Sequence, residues 1–97
     1  DYHRFQLRIA DRLLEIVSRE LRHAGAFDGE EAQRLAALLG RDGAITDLNA
    51  ELCARIRDGR IAIDDPALLA HLRRTTEDAL RINTPKWLQR PEDRAAN

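Results

Sequence analysis

The sequence predicts an all-α fold: a compact antiparallel bundle of four helices, completed by a further N-terminal element or by a second chain. Three observations carry this expectation. Apolar side chains recur at three- and four-residue steps along most of the chain. The apolar set is Leu, Ile and Ala with little Val, and aromatics make up 4% of residues, which favours helix over strand. Five Gly and three Pro stand at a few points between the periodic runs, where they read as stops and caps.

The first predicted helix runs from about Tyr2 to Ala24, with Gly25 as its stop. Tyr2, Phe5, Ile9, Leu13, Ile16, Val17 and Leu21 set its apolar period. At about 100° per residue, Arg4, Arg8, Asp11, Arg12, Glu15, Arg19 and Arg22 fall on an arc of roughly 100°. The apolar residues cover roughly twice that arc, with Leu7, Leu14 and Leu21 along one flank, wider than the stripe of an ordinary surface helix. Such a helix is expected to pack on more than one neighbour.

A second helix is expected over about Gly29 to Leu39, opened by Asp28 and Glu31 in capping-box spacing and ended by Gly40. Leu35, Leu38 and Leu39 are its buried face. The turn Arg41–Asp42–Gly43 reverses the chain. A third covers about Asp47 to Arg57, capped by Thr46 or Asp47, with Leu48, Leu52 and Ile56 as its stripe and Asp58–Gly59 as its end. Arg60 to Asp64 is a short connector rather than a strand, because no second run offers it a partner. The fourth helix has Asp65 as N-cap, Pro66 at the first helical position, and Leu68, Leu69, Leu72, Thr76, Ala79 and Leu80 on one face. It ends near Ile82, where Asn83 is expected in a left-handed cap and Pro85 blocks continuation. Trp87 and Leu88 dock once. Residues 1–89 are thus read as one helical domain and 90–97 as a flexible polar tail.

Composition limits function more than it defines it. At 97 residues the chain fits one domain, and 16 Lys+Arg against 17 Asp+Glu give a net charge of -1. That balance argues against nucleic-acid binding through a basic surface, and no apolar run is long enough to span a bilayer. One cysteine forms no internal disulfide. With a free thiol and no export signal in view, a cytoplasmic location is expected. The chain opens on Asp1 with Tyr2 already on the apolar stripe, so it reads as part of a longer polypeptide.

Candidate chemistry is thin. The arginine stripe reads first as a solvated face screened by Asp11 and Glu15, and second as a site for an acidic partner helix. Glu20 and His23 have the Glu-x-x-His spacing of di-iron bundles, but the motif occurs once where such sites use two; a surface contact is the expectation. His71 reads as a rim histidine bonded to a neighbour, Cys53 as a small buried hydrophobe, and Asn49 as a structural hydrogen-bonding group. Gly40–Arg41–Asp42–Gly43 lacks the spacing of a phosphate loop. No catalytic residue, cofactor site or metal site is assigned.

The run Asp47-Leu48-Asn49-Ala50-Glu51-Leu52-Cys53-Ala54-Arg55-Ile56-Arg57-Asp58-Gly59, with Asp65-Pro66-Ala67-Leu68-Leu69-Ala70-His71-Leu72 and Asn83-Thr84-Pro85, resembles a small bacterial family of unknown function. The first helix, with Phe5, Ile9, Ala10, Leu14, Ile16, Val17, Glu20 and Leu21, is similar to that family's too. Its members occur beside, or attached to, aminoglycoside-phosphotransferase-like proteins and acyl-CoA dehydrogenases, and usually carry another helix upstream. The resemblance implies a setting in acyl-CoA or related carboxylic-acid catabolism and supplies no catalytic residues.

Together these readings favour a non-catalytic accessory domain that binds a protein partner or a second copy of itself, through Leu7, Leu14, Leu21, Arg4, Arg8 and Arg12. Neither nucleic acid nor membrane is expected as a partner. The alternative is a binding or catalytic module for an acyl-CoA-type ligand, with Arg4, Arg8 and Arg12 on its phosphates and Glu20, His23 or His71 moving protons. A helix-turn-helix reading is weak, since Glu51 and Asp58 offset Arg55 and Arg57 on the third helix.

Overall fold

The computed structural model describes residues 1–89. They form three α-helices, α1 (Tyr2–Leu39), α2 (Ile45–Arg57) and α3 (Pro66–Asn83), followed by a 3-10 turn, η1 (Pro85–Leu88). No strand occurs among the described residues, so the all-α class stands. The four-helix count does not. The two helices expected before Gly40 are one continuous helix of 38 residues. Gly25 does not stop it, and Asp28 with Glu31 lies inside it rather than at a start. A glycine in a helix interior costs only about 1 kcal/mol relative to Ala, and ending a helix leaves four carbonyls to satisfy. With no proline nearby, continuation wins. The true stop is Gly40, at φ 74°, whose N–H donates to the Ala36 carbonyl at 2.8 Å.

Helix α2 begins at Ile45 rather than Asp47, and its N-cap, Ala44, makes no side-chain hydrogen bond. Ile45 packs on the core, which draws the first turn forward, while Asp47 remains in that turn where a carboxylate favours the dipole. Its end follows the expected Asp58–Gly59. Gly59 adopts φ 76°, Arg60 N–H donates to the Arg55 carbonyl at 2.9 Å and Gly59 N–H to that of Ile56 at 3.2 Å, the paired bonds of a Schellman motif. Asp65 caps α3 as expected, accepting from the Ala67 and Leu68 amides at 2.9 and 3.1 Å. Asn83 is the last helical residue rather than a left-handed cap; Arg19 Nε instead donates to the Ile82 carbonyl at 2.6 Å and covers that helix end.

The core sits at one end of the molecule. Leu35 and Leu39 of α1, Leu48 and Leu52 of α2 and Leu68 of α3 are buried together, with Ile45, Ile56 and Ile61 against them. Glu51 ties the α1–α2 turn: its carboxylate takes Arg41 Nε at 2.9 Å and Arg55 Nη2 at 2.8 Å, and the same Arg55 nitrogen reaches the Leu39 carbonyl at 3.1 Å. The Arg41 hydrogen bond holds the Glu51 carboxyl below its usual range.

Helix α3 runs antiparallel to α1. Glu30 faces Arg74, Arg34 faces His71 and Thr75, and Arg19 meets Ile82. Its buried face differs from the expected one. Leu68, His71 and Asp78 are buried, whereas Leu69 and Leu72 are about half exposed. The cause lies across the contact: α1 offers Glu30 and Arg34 there, and the polar side of α3 answers them.

Helix lengths explain the overall shape. At 1.5 Å per residue α1 spans about 57 Å, α3 about 27 Å and α2 about 20 Å. The short helices cover only the later part of the long one. The molecule measures 54 × 30 × 22 Å with a radius of gyration of 17.4 Å, against about 12–13 Å for a compact chain of this length. The expected compact bundle is therefore corrected to an elongated three-helix arrangement. The polar tail expected at 90–97 lies outside the described residues.

Candidate functional site

The N-terminal half of α1 is the least covered part of the molecule. Every residue from Asp1 to Glu15 is exposed. Among the large apolar side chains, Leu7 is 66%, Leu14 67% and Leu21 82% exposed. These three lie on the line that α2 would cover if it were longer: Leu35, two heptad periods beyond Leu21, is wholly buried in the core that α2 helps to form. Tyr2, Phe5, Ile9 and Leu13 are exposed in the same way on the line that α3 would cover. Among the described residues nothing covers the wide apolar arc, because α2 and α3 both stop short of it. Single exposed leucines are ordinary, but a contiguous apolar patch of this extent marks an interaction surface.

A charged groove runs beside it. Arg8, Arg12 and Arg19 of α1 and Lys86 of η1 line a cavity of about 450 Å³, together with Asp11 and Glu15. The local screening expected of Asp11 and Glu15 does not form as ion pairs: among the described residues no carboxylate lies within 4.0 Å of Arg4, Arg8, Arg12, Arg19 or Arg22. Arg19 and Arg22 turn to the carbonyls of Ile82 and Ser18 instead. The cations of Arg8 and Arg12 are exposed, with no counter-charge in contact among the described residues.

Other candidates separate from one another. Glu20 is exposed, while His23 stacks on Phe27 with ring centroids 5.2 Å apart. No group of three or more His, Cys, Asp or Glu able to hold a metal exists among the described residues. Cys53 is exposed, not buried; the stripe Leu48–Leu52–Ile56 faces the core and the next position turns out. Asn49 is half-buried and makes no side-chain hydrogen bond among the described residues. Trp87 is 58% exposed and Leu88 half-buried, so docking here is partial.

His71 is fully internal rather than at the rim, at 4% exposure. Its Nδ1 accepts from Arg34 Nε at 3.1 Å, and Arg34 Nη2 donates to Thr75 Oγ1 at 3.1 Å. Burial, then the Arg34 charge, pushes its pKa below the usual 6.5, against a smaller opposing pull from Glu31. Nearby, Arg74 bridges Glu30 Oε2 at 3.3 Å and Asp78 Oδ1 at 3.2 Å. This polar network joins α1 to α3. Arg34 and Thr75 escaped the sequence reading, although an arginine inside the apolar arc of α1 is a visible signal that something polar must face it.

No helix among the described residues is long and apolar enough to cross a membrane. No curated protein and no solved structure matches the chain. A family model does match, that of a domain of unknown function, DUF6285, over residues 1–87. The open apolar half-helix and its charged groove therefore belong to a member of the DUF6285 family.

Proposed function

We propose that the protein is a non-catalytic helical interaction domain, acting in the cytoplasm, whose partner packs on the N-terminal half of α1. One observation carries the reading: Leu7, Leu14 and Leu21 continue the buried line of Leu35 into solvent, with no segment of the described chain over them. Leu7, Leu14 and Leu21 supply contact area, and Arg4, Arg8 and Arg12 supply charge on the same half of the helix. In keeping with the family setting that the sequence resembles, the partner is the phosphotransferase-like protein or the acyl-CoA dehydrogenase of the same pathway.

Co-purification of the full-length protein with each of these two tests the proposal. One of them should co-elute, and Leu14→Glu with Leu21→Glu should release it without unfolding the domain. Failure to bind either, with the protein sedimenting as a monomer, overturns the reading.

A second reading places the phosphates of an acyl-CoA-type ligand on Arg8, Arg12, Arg19 and Lys86. Asp11 and Glu15 in the same groove work against a polyphosphate, and the apolar surface beside it is a convex helix face rather than a tunnel for an acyl chain. Saturating CoA esters should leave the melting temperature unchanged; a clear rise would restore this reading.

A further inference from the structure

The open half of α1 has two apolar lines with different borders. On a helical wheel Leu7, Leu14 and Leu21 lie next to a mixed edge of Asp11, Arg4 and Glu15, within about 80° of the leucines on average. Tyr2, Phe5, Ile9 and Leu13 lie on the other side, and there the border is Arg12 and then Arg8, about 60–100° from Ile9. Lys86 joins the same border from η1, across the groove that it shares with Arg8 and Arg12. Neither Arg8 nor Arg12 has a carboxylate within 4.0 Å among the described residues. The seam that carries unpaired positive charge is therefore the Tyr2–Leu13 seam, not the leucine line.

We infer that the Tyr2–Phe5–Ile9–Leu13 seam docks an acidic amphipathic helix of a partner protein, whose carboxylates lie along Arg8, Arg12 and Lys86. The inference rests on the reading above that a partner packs on the N-terminal half of α1, and goes beyond it by adding the seam beside the leucine line and the chemistry of the helix that fits it. Three features select this occupant. The seam repeats at three- and four-residue steps along about 17 Å of straight helix, the geometry that another helix fits. It continues the track that α3 occupies further along α1, where Arg34 and Glu30 meet side chains of α3, so a helix laid there extends an existing helix–helix layer. Its border is net positive among the described residues, with Arg8, Arg12, Arg19 and Lys86 set against Asp11 and Glu15 in the same groove, which favours carboxylates and disfavours lysines at the facing edge. A second copy of this chain is a poorer match, because the same helix would bring its own arginine border to that edge.

The test is fluorescence anisotropy of the full chain with two labelled helical peptides. Both share one apolar face of Leu and Ile; one carries Glu along its flanking edge and the other Lys. The Glu peptide should bind about tenfold more tightly at low ionic strength, the gap should shrink several-fold near 1 M salt, where the Debye length is about 3 Å, and Arg8→Glu with Arg12→Glu should abolish or reverse it. Equal affinity for the two peptides overturns the acidic partner while leaving the docking surface in place. Binding of neither overturns docking on this seam altogether. If the chain sediments as a dimer that the Glu peptide does not dissociate, a second copy holds the seam and the inference is wrong.

Discussion

Arg34 Nε donates to Nδ1 of His71 at 3.1 Å across the α1–α3 contact, and this bond favours one state of a buried histidine. A guanidinium Nε–H can only donate, so Nδ1 must accept and the ring proton sits on Nε2. The arrangement favours the neutral imidazole, and burial and then the Arg34 charge push its pKa in the same direction. The helices are joined here by a polar lock rather than by leucines.

That lock makes stability depend on pH. A histidine with a lowered pKa in the fold binds fewer protons than in the unfolded chain, so stability is complete above about 6.5 and falls as the pH drops below it. The slope is at most about 1.4 kcal/mol per pH unit, the limit for one proton. Urea unfolding between pH 7.5 and 5.5 should show the loss, and His71→Gln should flatten it. A wild-type midpoint constant over this interval would contradict the assignment.

Core and surface leucines should separate cleanly. Leu35 and Leu48 are wholly buried, and truncating either to Ala should cost about 2–5 kcal/mol. Leu21→Ala, at an 82% exposed position, should change the isolated chain by less than about 0.5 kcal/mol. Equilibrium unfolding of the three variants measures both numbers, and a large loss at Leu21 would mean that the flank is covered.

The glycines divide in the same way. At Gly25 and Gly29 an added Cβ meets nothing within 4 Å, and neither has a positive φ. Gly25→Ala and Gly29→Ala should each stabilise the helix by about 0.5–1 kcal/mol. Gly40→Ala and Gly59→Ala should destabilise by about 1 kcal/mol, because their φ of 74° and 76° suits glycine alone. Thermal melts of the four variants should shift in opposite directions.

Much of this was legible in the residues. The helical class, the Asp65–Pro66 start, the Asp58–Gly59 stop and the leucines of the core all follow from period and capping chemistry. The misreadings have physical causes. Gly25 looked like a stop because glycine ends helices so often, yet without proline or a positive φ its cost is small. The buried face of α3 was misplaced because apolar count favoured Leu69 and Leu72, whereas pairing with Arg34 and Glu30 turned His71, Thr75 and Asp78 inward. The excess apolar arc of the first helix could be read from the sequence; that it stays open on both flanks required the relative lengths of three helices.

Hydrogen exchange along α1 in the monomeric chain tests the central claim most directly. If nothing in the described chain shelters the N-terminal half, amides of residues 5–18 should exchange with protection at least about tenfold below those of residues 35–39, which report core opening. Equal, core-level protection along the whole helix, in a chain shown by sedimentation to be monomeric, would mean that the arm is already covered and would contradict the docking surface proposed for it.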